Sequence, residues 1–286
     1  MTVYITHQQY YVPSSYHALT EPNLFGLAEK ERQVYHRYYG IARIPYHESN
    51  TLDMMQEATK SLPYHHADYL IHAHTTPVLS KMGTSLVRSL QRKLKLHRTQ
   101  TFSIAMDKCV STIRALQVIE NLFVQHENKQ ALLVCGETVF TQDHRVLPNI
   151  TITADASAAL LLSNQQGHSQ LLSTAIHTYG QYSRGVWMDR EQVSDFGTYF
   201  NTRMGKVLDE ILIKSGVAKN EVRMILPHNV NIPCWKHFAS YYHFDLNQIY
   251  LENIPLFSHC FNSDLLINLI DLIIPKNIIM YRLAFR

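Results

Sequence analysis

The chain has 286 residues, 46% hydrophobic and 17% charged, enough for one large domain or two fused halves around a sizeable core. A net charge of +3 gives no nucleic-acid footprint, and the densest basic stretch, residues 88–98, reads as the solvated face of a helix. Cys109, Cys135, Cys234 and Cys260 lack CxxC spacing, which excludes a disulfide framework or structural zinc site and suits a reducing cytoplasm.

Strand-like and helical runs then alternate along the chain. Val3–Tyr11 reads as an opening strand, without the basic-then-apolar layout of a signal peptide. Residues 21–38 are largely helical, with Gly40 just beyond, and residues 52–62 form a second helix. A strand over 67–74 ends in the turn formers Thr75, Thr76 and Pro77, and a helix follows over 83–96. Residues 101–106 alternate like a strand and meet a helical pattern from Val110, whose face is Val110, Ile113, Leu116, Ile119 and Phe123. Residues 131–135 and 158–162 are short apolar strands of the kind buried inside layered sheets, and residues 171–178 continue the pattern. Further helices are expected over 200–215 with Gly216 as C-cap, over Ile232–Tyr242 and over 263–272, with strands at 224–227 and 277–285. The order is that of a layered α/β protein. The apolar tract from Leu265 is broken by Asp271, Pro275, Lys276 and Asn277, so no membrane span is expected and the chain reads as soluble.

Cys109 stands where the strand over 101–106 meets its helix. A thiol on that turn faces the free N–H groups of the helix, whose dipole favours a thiolate and so a nucleophile. His72 and His74 share one face of a strand, but no carboxylate or cysteine stands at matching spacing, so no metal site is expected. The 17 tyrosines lack interleaved basic residues and read as half-buried packing.

Several local patterns fall in one order: Gly40–Arg43, then Asp68 to Pro77, then Cys109 after its strand. The Ala154-Asp155-Ala156-Ser157 segment follows, then Pro227-His228-Asn229-Val230-Asn231, and Ser258-His259 before the last helix. This order resembles the ketoacyl synthase III group of thiolase-fold condensing enzymes over nearly the whole chain. The resemblance implies an αβαβα sandwich of two similar halves, residues 1–163 with the cysteine and 164–286 with the histidines. It implies an acyltransferase that loads an acyl group from coenzyme A or acyl carrier protein onto Cys109. A second substrate then takes the acyl group: a malonyl-type thioester, or an alcohol or amine. Coenzyme A and carrier-protein thioesters enter as substrates, and no permanently bound cofactor is implied.

Transferred residue by residue, the nucleophile is Cys109, the first histidine His228, and Asn231 the asparagine of the HxxN segment. The family's active-site asparagine falls on His259, and a histidine with Nε2 protonated donates to a developing oxyanion much as an amide does. Elongating ketosynthases pair a cysteine with two histidines. Other acyl-transferring relatives place a carboxylate near the histidine, and Asp264 is near enough in sequence for that role. The Cys109, His228 and His259 trio is the expected catalytic set, with Asn231 and Asp264 toward substrate.

Two departures bear on activity. The family's glycines around Asp155 are replaced by Ala154 and Ala156. Residues 283–286 stand where a glycine-rich loop supplies an oxyanion-hole N–H, so the C-terminal strand is expected to be missing. The alternative to an enzyme is therefore a ketosynthase-like subunit without turnover, acting as a heterodimer with an intact partner. The family itself implies a homodimer. The helix over 202–213, with Arg203 and Lys206, is a candidate docking face for a carrier protein.

Overall fold

The computed structural model describes residues 2–76, 84–105, 107–124 and 126–272. The expected strand over 277–285 and the stretch 283–286 lie outside the described residues, as do Pro77 and Gly83.

A six-stranded mixed sheet carries the fold. Its strands are β1 (Val3–Tyr11), β2 (Tyr69–Ala73), β3 (Gln100–Ile104), β4 (Gln130–Glu137), β5 (Ala156–Ser163) and β6 (Ser169–Leu171). The order across the sheet is β6-β1-β5-β4-β2-β3. Strand β2 runs parallel to both β3 and β4, with Ala73 level with Ile104 and Cys135. The β4–β5, β5–β1 and β1–β6 pairs are antiparallel. Strands β4 and β5 are buried almost throughout, which is why they read as continuous apolar runs and not as alternation.

Helices cover both faces. Leu132 and Val134, with Leu70 of β2, face one layer against Met55 of α1 (Thr51–Thr59) and Val87 and Leu90 of α2 (Leu86–Lys93). Ala131, Leu133 and Cys135 face the other, against α3 (Ser111–Val124) through Leu116, Ile119 and Phe123. Each fully buried Leu, Ile, Val, Phe or Met among these contributes roughly 1.5–3 kcal/mol relative to exposure. Arg88, Arg92 and Lys93 lie on the exposed side of α2, where Lys93 pairs with Asp53 at 2.8 Å.

Among the described residues of the second part, the longer helices are α4 (Arg190–Ser215), α5 (Ile232–Tyr242) and α6 (Ser263–Asp271). Helix α4 starts ten residues before the expected Phe200, capped by Asp189 and Gln192 in a reciprocal box. Gly216 ends it in the left-handed region with φ 70°, as expected of a C-cap. Gly40 has φ 83°, and a Cβ there would meet Ile232 Cδ1 at 2.3 Å, so only glycine lets this turn lie against α5.

The second part of the chain is less regular than its pattern suggests. The strand expected over 224–227 is a single bridge between Ile225 and Ile249. Of residues 171–178 only the first joins a strand, and that strand, past residue 163, pairs with β1. Residues 21–38 form short 3₁₀, α and π turns in place of one helix. The Asp155 segment needs no glycine, because neither Ala154 nor Ala156 has positive φ. Asp155 instead ties three segments together, accepting from Arg145 at 3.2 Å and from the N–H groups of Val139 and His47 at 2.9 Å each.

Candidate active site

Cys109 is delivered by a tight turn. Strand β3 ends at Ile104, whose carbonyl accepts the His74 N–H at 3.0 Å. The chain folds back through a 3₁₀ turn, Lys108–Val110, that leads directly into α3. Lys108 has φ 53°, a left-handed conformation that costs a non-glycine residue roughly 1 kcal/mol. Arg114 braces the turn by pairing with Asp107 at 2.9 Å. The result is a half-buried sulfur at the start of the helix, as the sequence led one to expect.

The histidines arrive from two loops. His228 follows Pro227 on a strap whose carbonyl groups are held by Trp235 Nε1 and Asn268 Nδ2, each at 2.8 Å. His259 lies between Ser258 (φ 56°) and Phe261 (φ 51°), with its N–H on Ile152 and its carbonyl accepting from Ala154. Its Nε2 is 3.6 Å from Cys109 Sγ, and its ring stands edge-on to that of His228, centroids 5.2 Å apart.

Asp264 joins them. Its fully buried carboxylate accepts from His259 Nδ1 at 2.5 Å, His228 Nδ1 at 3.2 Å, the Asn229 N–H at 2.9 Å and the Cys260 N–H at 2.7 Å. It also sits in the first turn of α6, where the helix dipole favours an anion. Burial alone would raise its pKa, but His259 and His228 together hold it well below the usual carboxylate range. For His259, burial pulls the pKa down, and the charge and hydrogen bond of Asp264, joined by Cys109, outweigh it and lift the value to about 10. Cys109, His259 and Asp264 therefore stand in line, with His259 Nε2 toward the sulfur and its Nδ1 on the carboxylate.

His259 Nε2 is thus in contact with the sulfur, and His228 shares its carboxylate. Asp264 lies behind the histidines and not on a substrate surface. Asn231 does different work: its Oδ1 caps α5 through the Cys234 N–H at 2.8 Å and its Nδ2 donates to Ile150 at 3.0 Å. The donor atoms of His228, His259 and Asp264 lie within 4.8 Å of one another, a grouping of metal-ligating types that their hydrogen bonds already account for. His72 and His74 stack at 4.5 Å deep in the core, and burial, with the neighbouring His74, holds His72 down at about 3.

Three side chains around Cys109 escaped the sequence analysis. Thr75 donates its hydroxyl to Sγ at 3.6 Å, Asn262 donates to that hydroxyl at 2.9 Å, and Glu137 accepts the Thr75 N–H at 2.6 Å. The Thr-Thr turn and the end of β4 were visible in the sequence, but nothing in it links them to residue 262. Arg203 is enclosed by Tyr179, Tyr182 and Tyr199 at 4.7–5.1 Å and lies 3.5 Å from Asp195, so its charge is engaged within the chain.

The architecture is that of the thiolase fold, as its structural neighbours show. ChlB3, an acyltransferase, superposes with a TM-score of 0.83 over 96% of this chain and 89% of its own, at 14% identity. The 3-oxoacyl-[acyl-carrier-protein] synthase III of Aquifex aeolicus superposes with a TM-score of 0.77 over 95% and 90%, at 18% identity. The beta-ketoacyl-[acyl-carrier-protein] synthase III of Coxiella burnetii is 27% identical over 141 residues, 43% of each chain. No protein-family model matches the chain. The chain is thus similar in sequence to ketoacyl synthase III proteins, and it spans about half the length of the curated relatives it matches.

Proposed function

We propose that this protein transfers acyl groups from a coenzyme A or carrier-protein thioester, through Cys109, to an alcohol or amine. The observation that carries this reading is the line from Cys109 Sγ through His259 to the buried Asp264. In the first half-reaction the Cys109 sulfur attacks the donor thioester carbonyl. His259 holds the proton that Cys109 gives up and returns it to the departing donor thiol as the carbon–sulfur bond breaks. In the second, an O–H or N–H nucleophile attacks the acyl-Cys109 carbonyl and loses its proton to His259, which passes it to the released Cys109 sulfur. Asp264 keeps the Nδ1–H of His259 fixed, so that Nε2 faces the reacting atoms throughout. His228, held by the same carboxylate, serves as the second donor toward the developing oxyanion.

Carbon–carbon bond formation from a malonyl-type thioester asks something different of the site. It needs two neutral donors at an enolate oxygen, whereas a carboxylate on Nδ1 of His259 fixes its ring for proton transfer at Nε2. The acyltransferase name of ChlB3 agrees with this choice. The reading as a subunit without turnover rests on residues 283–286, outside the described residues, and the Cys109–His259 contact favours a competent site. No described helix is long and apolar enough to cross a membrane. A homodimer fits the edge position of β3, whose Phe102 and Ile104 are only partly buried, and light scattering on the eluted protein checks it.

The test is a panel of acyl-coenzyme A and acyl-carrier-protein thioesters, read by intact mass, with Cys109→Ala beside the wild type. An adduct absent from the variant, then discharged by alcohols or amines, is the expected result. Discharge by malonyl thioester alone, with loss of carbon dioxide, overturns the choice of acceptor. No adduct from any donor on folded protein overturns the transferase reading.

A further inference from the structure

Cys109 has a hydrogen-bond donor besides His259, and the surrounding backbone fixes its direction. Asn262 is fully buried; its Oδ1 accepts the Thr112 N–H at 3.0 Å and its Nδ2 donates to the Lys108 carbonyl at 3.1 Å. A backbone donor at one end and a backbone acceptor at the other admit one orientation of the amide. Nδ2 therefore also donates to Thr75 Oγ1 at 2.9 Å. A hydroxyl that accepts there still has its own hydrogen to give, and it gives it to Cys109 Sγ at 3.6 Å. Glu137, itself buried, holds the Thr75 backbone from behind and accepts from Thr76 through both N–H and hydroxyl at 3.1 Å each.

We propose that Thr75 is a positioning residue whose hydroxyl, aimed by Asn262, stabilises the Cys109 thiolate independently of His259. The inference rests on the reading of Cys109 as the nucleophile. Asn262 does two things at once: it caps the nucleophile's helix at Thr112 and directs the donor that faces the nucleophile. The ionisable groups around the sulfur are His259 with Asp264 behind it, Glu137 behind Thr75, and Asp107 and Lys108 on its own turn. None of these takes the place of the Thr75 hydroxyl, which carries no charge and acts at every pH.

The experiment measures the rate at which iodoacetamide alkylates Cys109 in the full chain, without acyl donor, read by peptide mass from about pH 6 to about pH 10. Thr75→Val is expected to slow the reaction about fivefold near neutral pH and to converge with the wild type in alkali, where the thiol is ionised anyway. Thr75→Ser, which keeps the hydroxyl, restores the wild-type profile. Asn262→Asp replaces the donor by an acceptor, turns the Thr75 hydroxyl away from sulfur, and reproduces the valine profile. Thr75→Ala stands in if valine does not fold. A valine or alanine variant that matches the wild type near neutral pH, or is slower by one factor at every pH, overturns the proposal. Because no acyl donor is present, a Thr75-dependent profile in a protein that forms no acyl adduct keeps this inference and sinks the transferase reading. The converse outcome does the reverse.

Discussion

The two sides of the site are held by different means. Cys109 sits on regular structure: a parallel strand pair, a turn and a fourteen-residue helix whose buried face is anchored across the sheet. His228 and His259 sit on irregular loops, and four hydrogen bonds to one carboxylate take the place of a ladder. A defect on the cysteine side is thus shared among many apolar contacts, whereas the histidine side converges on a single charged group. Stability and chemistry ought to respond differently to damage on the two sides.

The sharpest test of that contrast is chemical. Cys109→Ala should abolish the acyl adduct while leaving the melting temperature nearly unchanged, because the sulfur is half-buried and its helix is anchored elsewhere. Asp264→Asn removes the charge that orients His259 and should lower the transfer rate by about a thousandfold or more, measured by the discharge of acyl-Cys109. Asp264→Ala should in addition destabilise the fold by roughly 3–5 kcal/mol in denaturant titration, since it leaves buried donors without their acceptor. Equal rates for wild type and Asp264→Asn would break the comparison.

The same carboxylate gives the fold a distinctive pH dependence. His259 is raised from 6.5 to about 10, so its stabilising contribution is complete below the unfolded value and is lost as pH rises through about 10. Asp264 is depressed from 3.8, so its contribution is present above that value and is lost as pH falls into strong acid. Thermal melting should therefore weaken in alkali, and His259→Gln should remove most of that alkaline loss. On the cysteine side, Ile119→Ala, at a fully buried position, should cost about 2–5 kcal/mol while leaving the pH profile unmoved. The smallest effect is expected far from both: Arg203→Ala, which empties the tyrosine cage, should lower stability by about 1 kcal/mol, read as a small shift in melting temperature.

What the sequence revealed follows the same division. The apolar runs of β4 and β5 and the stripe of α3 announce themselves because burial imposes a period that neighbouring residues share. Cys109, His228 and His259 were legible through their order along the chain. The first ten residues of α4 were not, because Arg190 to Tyr199 buries no apolar stripe and its cap acts only locally. The joining role of Asp264, and the Thr75–Asn262 contact across 187 residues, left no trace, since a hydrogen bond between distant polar side chains imposes no pattern on either segment. The expected strand over 224–227 failed for a related reason: its apolar residues are buried by helices, and one bridge is all the pairing the packing requires.

The cap that Asn262 places on Thr112 spans 150 residues of sequence. As the chain emerges from a ribosome, α3 is made long before its cap, and β1 must wait for β5 to pair at all. The first half of the protein is thus synthesised with a frayed helix start, a Cys109 lacking His259 and a Thr75 hydroxyl not yet aimed by Asn262. High contact order of this kind slows folding. It also means that Cys109 meets its hydrogen-bonding partners only once residues 259–264 have docked, so the surroundings of the sulfur are completed with the fold and not before it.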